Sequence, residues 1–265
     1  MYKLLLILLF LPLYLFSNTV ITVTYPVQEY FIEKIALNKV YIRTVYESKN
    51  KFEKKDSRVV NKLSNSKFYF TFGMENEKEL SKLFLSKNSY LKVVDITKGI
   101  KKIKLNNKEN PYVWMDPLLV RKIAKNIYEQ LIKVQREDRV FFKENLDKFL
   151  KELDELYLDM RSDILNSEVY GFLTYGDYWD YLAARFRLKV YKNKYKYLSI
   201  KEVPDFIRFA RKKNLRKIII KEDKSYEIAQ SLAGHIGAKI IENNIFAHEW
   251  KSNIYMLARK LARKI

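Results

Sequence analysis

The chain has 265 residues, 48% of them apolar and 15% aromatic, and its 51 Lys and Arg against 31 Asp and Glu give a formal charge of +20. That length supports one large domain or two smaller ones, each with its own core. The absence of cysteine excludes disulfides, thiolate metal sites and cysteine nucleophiles together.

Lys3 precedes an apolar run from Leu4 to Phe16, closed by the small Ser17. Residues 1–17 therefore read as a cleaved secretory signal, with a retained anchor or a buried helix as the alternatives. The run is shorter than the roughly 20 apolar residues a bilayer requires. No cysteine follows it, so lipoprotein-type attachment is not expected. The mature chain is expected to be soluble and to work in the periplasm or outside the cell.

Short β-branched or aromatic runs then alternate with helical patterns. Strands are expected at 19–24, 40–45, 68–72 and 91–96. A helix follows the first strand at 26–36, and a second at 56–64 is capped by Asp56 or Ser57. After Pro117 comes a helical tract without glycine. Its second half, 139–165, sets Phe142, Leu146, Phe149, Leu150, Leu153 and Leu156 on one face, at spacings of three and four. At about 1.5 Å per residue this helix is roughly 40 Å long. A second alternating set follows, with strands at 170–174, 188–191, 217–220 and 238–241. Helices are expected at 177–185, 203–213, 226–235 and 252–262. This pattern predicts an α/β protein of two lobes, each with a mainly parallel sheet flanked by helices, joined by one long rigid helix. The lobes are expected at 18–137 and 167–265, with the link at 138–166.

The positive charge is scattered. Lys101-Lys102, Lys192 to Lys196 and Arg211 to Lys213 lie far apart in the sequence, which fits a solvated basic surface better than a nucleic-acid footprint. Attraction to anionic lipid is the other reading. His235 falls near a helix end, where it interacts favourably with the helix dipole. No P-loop, dinucleotide fingerprint or nucleophile motif is present, so no catalytic residue is assigned and the chain is not read as an enzyme.

Several short segments carry a family resemblance. Asn110-Pro111-Tyr112-Val113-Trp114-Met115-Asp116-Pro117 resembles D-P-H-V-W-x-D-P. Thr22 to Pro26 resembles a first strand and its turn into a helix, and Asn50-Lys51-Phe52-Glu53 resembles H-x-F/Y-E. Phe70 to Glu75 resembles a third strand with its exit. Asn145 matches an asparagine on the long helix. Tyr181 to Leu188 resembles Y-F-A-x-R-Y-G-L, and Asn244 to Trp250 resembles D-P-L-A-x-x-W. These segments, in this order, resemble the periplasmic solute-binding proteins of zinc and manganese ABC transporters.

The resemblance implies a ligand held between two lobes, small lobe movements, and handover to an ABC permease of the inner membrane. The working unit is expected to be a monomer without nucleic acid. It also implies zinc or manganese, bound by three histidines and one acidic residue. Those positions fall on Asn50, Tyr112, Gly176 (or Tyr175 after a shift of one) and Asn244. The family's histidine-rich loop falls between Gly99 and Glu109, where Lys101, Lys102, Lys104 and Lys108 stand.

None of these is a conventional zinc ligand, since zinc takes imidazole, thiolate or carboxylate. The metal site is therefore expected to be degenerate, with no metal ligand assigned and the ligand unknown. Asp177, His248 and Glu249 complete the cleft candidates, as a possible substitute donor set with Tyr175 and Tyr178. Tyr112 and Trp114 either line a pocket for an organic or anionic ligand or pack between the lobes. A further reading is an accessory protein on a vestigial receptor scaffold.

Overall fold

The computed structural model describes residues 19–46, 56–192, 203–222 and 226–264. The expected signal at 1–17 and the candidate Asn50 lie outside these residues.

The first lobe alternates as expected. β1 (Thr19–Val23) leads into α1 (Pro26–Ala36), β2 (Val40–Thr44), α2 (Ser57–Ser64), β3 (Phe68–Thr71), α3 (Glu75–Lys87) and β4 (Lys92–Asp95). All neighbouring strands are parallel, in the order β2-β1-β3-β4. β3 is buried at every residue, as a central strand covered on both faces should be. Pro26 opens α1 at a position where its missing N–H costs nothing. Asp56 caps α2 by accepting from the Arg58 and Val59 N–H groups. Its Oδ1 lies 2.9 Å from the Arg58 nitrogen.

α3 was not visible as a helix in the sequence, because Met74 precedes it where Ser, Thr, Asp or Asn would mark a start. Glu77 supplies the missing cap from inside the helix. Its Oε2 accepts from the N–H groups of Phe72 and Met74 at 2.8 and 2.9 Å. A small hairpin follows, β5 (Lys104–Leu105) with β6 (Lys108–Glu109). Asn106 and Asn107 turn it with φ of 47° and 63°, the left-handed pair that a two-residue hairpin requires.

α4 (Pro117–Val134) and α5 (Arg139–Leu165) then pack against each other. α5 occupies the predicted span and also packs on α1 and on the last helix. Phe142, Leu146, Phe149, Leu153 and Leu156 are buried as expected, and Met160 and Ile164 extend the stripe, while Leu150 sits half-buried at its edge. Asn145 is buried for a different purpose, donating to the Ile35 carbonyl at the end of α1, 3.1 Å away.

The second lobe comprises β7 (Gly171–Thr174), α6 (Asp180–Phe186), β8 (Lys189–Lys192), α7 (Val203–Lys212), β9 (Lys217–Lys221), α8 (Tyr226–Ile236), β10 (Lys239–Asn243) and α9 (Trp250–Ala262). Its sheet is again parallel, in the order β10-β9-β7-β8. α6 starts three residues later than the sequence pattern implied. Asp177 and Tyr178 belong instead to the turn that leaves β7, each held by partners outside α6. α9 starts two residues earlier than expected, at Trp250. His235 is exposed in the last turn of α8. One continuous apolar core runs from both sheets through α1, α4, α5 and α9. None of the described helices is long and apolar enough to cross a membrane.

Candidate functional site

Both sheets place a topological switch beside their first strand. β1 lies between β2 and β3, and β7 lies between β8 and β9. In open parallel sheets the crevice outside the carboxyl ends of such strands is where ligands bind. Here that rule selects Tyr25 after β1, Tyr46 after β2, Phe72 after β3, Gly176 and Tyr178 after β7, Lys221 at the end of β9 and Phe246 after β10.

These side chains meet across the two lobes. The Tyr25 and Phe246 rings are stacked, with centroids 3.9 Å apart and planes 6° from parallel. Tyr46 also stacks on Tyr25, at 5.6 Å. Tyr112 meets Tyr178 edge to face at 4.8 Å and Trp114 at 5.4 Å. Offset and edge-to-face ring pairs are attractive beyond the area they bury. The Lys221 ammonium lies 5.7 Å from the Tyr178 ring centre and 5.8 Å from that of Phe246, within cation–π range. Lys102 reaches the same end of the first sheet, its Nζ 3.4 Å from the Phe72 carbonyl.

Polar contacts from the resemblance-bearing segments fasten the lobes behind this cluster. Asn110 donates to the Asp177 carbonyl at 2.8 Å, and its own carbonyl accepts from the Tyr181 hydroxyl at 2.8 Å. Trp114 Nε1 donates to the Ile245 carbonyl at 2.8 Å, and Trp250 Nε1 to the Trp114 carbonyl at 3.0 Å. Asp116 caps α4 through the Leu118 N–H at 2.9 Å. It also takes a forked contact from Arg185, with Nε 2.9 Å from each oxygen and a terminal nitrogen 2.7 Å from Oδ2. Trp114 is fully buried and stacks on Phe72 at 4.0 Å. It packs in the core.

The described candidate residues separate into five places. Tyr112 and Gly176 stand in the aromatic cluster. A Cβ added at Gly176 would come within 2.5 Å of the Tyr178 ring, so that ring fills the space of any side chain there. Tyr175 turns away and packs with the core beneath α7 and α8. Asp177 pairs with Lys192 at 2.5 Å, and Asp180 pairs with the same amine at 2.9 Å. Asn244 is exposed and accepts the Phe246 N–H at 3.0 Å through its side-chain oxygen, closing its own loop.

His248 and Glu249 lie apart from the cluster, against α1. His248 Nε2 is 2.9 Å from Glu33 Oε2, and Nδ1 is 3.3 Å from Glu249 Oε1. Burial works to lower the His248 pKa, but the Glu33, Glu249 and Glu29 carboxylates outweigh it and the pKa is raised.

Burial, then the neighbouring Tyr178 and Asp177, pushes the Tyr112 hydroxyl up to about 12. It is therefore neutral at physiological pH and a weak donor to a metal. Among the described residues, the cluster offers a neutral phenol, a glycine without room for a side chain, aromatic carbon and an ammonium group, whereas a transition-metal ion needs converging imidazole or carboxylate donors. Sequence reasoning passed over Tyr25, Lys221, Glu29 and Glu33. The i, i+4 spacing of the two glutamates on α1 was the available signal.

A family model described as the periplasmic component A of the zinc-uptake complex, ZnuA, matches residues 21–256. The high-affinity zinc uptake system protein ZnuA of Bacillus subtilis (strain 168) is 27% identical over 134 residues, 49% of this chain and 42% of its own length. A putative metal-binding protein of Treponema pallidum (strain Nichols) is 24% identical over 169 residues, 59% of this chain and 54% of its own length. The chain thus spans about half the length of these curated relatives. A crystal structure of ZnuA superposes with a TM-score of 0.83 at 24% identity, covering 93% of this chain and 98% of its own. At that identity the match establishes the two-lobed fold.

Proposed function

The chain belongs to the ZnuA family of periplasmic zinc-uptake components, and on that premise we propose that it is an exported solute-binding protein whose work is binding and handover to an ABC permease. In this reading residues 18–137 and 167–265 are the lobes, and 138–166 is a rigid link that keeps their movement small. In this reading the crevice between them holds neither manganese nor the zinc that the name of the Bacillus subtilis relative gives. The observation that carries this is the position of Tyr178, whose ring fills the side-chain space at Gly176 while packing on Tyr112. Lys221 strengthens it, because an ammonium already resting on Tyr178 and Phe246 repels a second cation in the same place. The site is degenerate for the metal named by the family.

Two measurements test this. Isothermal titration with Zn(II) and Mn(II) should give affinities that Tyr112→Phe and Tyr178→Phe leave unchanged. A loss of affinity in either variant would place the ion in the crevice and overturn the reading. The chain should also raise ATP hydrolysis by the ABC permease of its own host, reconstituted in vesicles. No stimulation would instead favour an accessory protein on a receptor scaffold, the reading that the side-chain-filled crevice also supports.

A further inference from the structure

Glu29 and Glu33 sit one turn apart on α1, and His248 reaches them from the loop before α9. One ligand atom from each lies within 4.8 Å of the other two, and all three residues are partly buried. The grouping joins the first lobe to the second at a place separate from the aromatic cluster.

Like charges at i, i+4 on a helix repel, so two carboxylates here need a cation. In a chain of charge +20 a lysine would be the ordinary answer, yet none of the described lysines or arginines pairs with Glu29 or Glu33. The lysines of this face, Lys34 and Lys251, are both drawn to Glu152, at 2.7 and 3.3 Å. Among the described residues, the cationic partner that reaches this pair is the imidazole of His248, from the other lobe.

The groups around the three residues have the arrangement that a metal site requires. A metal-ligating histidine donates its second ring N–H to a carboxylate, and ligating carboxylates are themselves hydrogen-bonded. Glu249 Oε1 stands 3.3 Å from His248 Nδ1, on the ring edge opposite to the one facing Glu33. Thr44 Oγ1 donates to Glu29 Oε2 at 2.6 Å. Tyr30 meets the imidazole edge to face at 6.1 Å and restrains the ring plane. Metal bonds of about 2.0–2.2 Å set ligand atoms roughly 3.0–3.4 Å apart. His248 and Glu33, at 2.9 Å, stand just short of that separation, and Glu29 brings a ligand atom within 4.8 Å of both.

We infer that Glu29, Glu33 and His248 form a binding site for a divalent transition-metal ion across the two lobes, with Glu249 and Thr44 as positioning residues. One nitrogen and two carboxylates suit zinc, manganese or ferrous iron, with water completing the shell. The inference stands independently of the crevice reading above.

The test uses the whole mature chain, stripped with chelator and titrated with Zn(II), Mn(II) and Co(II) at neutral pH. One equivalent should bind and raise the melting temperature, and Co(II) should develop visible absorption. His248→Gln and the pair Glu29→Gln/Glu33→Gln should each raise Kd at least tenfold while the metal-free melting temperature stays near that of the parent. Glu249→Gln should weaken affinity on the order of 10–100-fold and shift the cobalt spectrum, as loss of an orienting partner does. Absence of metal binding, or binding indifferent to both the His248 and the glutamate variants, overturns this site and leaves the crevice reading intact. Binding lost in Tyr112→Phe instead overturns both.

Discussion

Tyr25 and Phe246, more than two hundred residues apart in the chain, lie face to face with ring centres 3.9 Å apart. Tyr25 leaves the first strand of one sheet and Phe246 the last strand of the other. Their stack closes the crevice with side chains from both lobes. Phe246→Ala should cost about 3 kcal/mol, the lower end for truncating an aromatic, because the ring is only partly buried. Phe246→Leu should cost about 1 kcal/mol. Urea unfolding curves of the two variants measure the difference.

The Asp116–Arg185 contact should respond unequally to loss of either partner. The Asp116 side chain is 5% exposed and that of Arg185 30%. Arg185→Met leaves a buried carboxylate without its cation and should cost about 3 kcal/mol. Asp116→Asn leaves a guanidinium that can turn to water, keeps an acceptor for the α4 cap, and should cost about 1 kcal/mol. A double-mutant cycle in denaturant reads the coupling. Equal costs for the two single variants would contradict this asymmetry.

Gly176→Ala should destabilise the fold through contact with Tyr178, and Tyr178→Ala should remove that penalty. The single Gly176→Ala change brings a methyl to within 2.5 Å of ring carbon, and overpacking of this kind costs about 1–3 kcal/mol. In the Tyr178→Ala background the same change should cost under about 0.5 kcal/mol, since the space is then open. Thermal unfolding of the four combinations decides it.

Glu77 gives the protein a pH dependence of its own. Burial pushes its carboxyl from 4.5 up to about 7, against hydrogen bonds from Met74, Phe72 and Gln28 that favour the ionised form. The folded state therefore holds the proton more tightly than the unfolded chain. The stabilisation is full below about pH 4.5 and is lost as the pH rises through about 7. The span corresponds to roughly 3 kcal/mol. Glu77→Gln carries no charge to desolvate. Its melting temperature relative to the parent should rise between those two pH values, and a difference independent of pH would refute the assignment.

The sequence by itself determined the α/β class, the parallel sheets and the long helix. Alternation of β-branched runs with helical periodicity is a local property, and the apolar stripe of α5 repeats at three and four residues along its whole length. Through their resemblance to motifs of the solute-binding family, the sequence also marked Asn110, Trp114, Asp116, Tyr181 and Arg185 as parts of a receptor-like frame. α3 escaped notice because its cap, Glu77, lies inside the helix rather than before it. α6 was placed too early because Asp177 and Tyr178 are helix-compatible residues held in a turn by Lys192 and Tyr112.

Only the tertiary structure decided what occupies the crevice. Tyr25, Tyr112, Tyr178, Lys221 and Phe246 leave five different strands or turns, and no sequence period joins them. The same holds for Glu29, Glu33 and His248. The i, i+4 glutamates were legible as neighbours on one helix face, but their histidine arrives from the opposite lobe. Sequence periodicity records which residues share an element, whereas a site between two lobes depends on how separate elements dock, and that is set by the core they share.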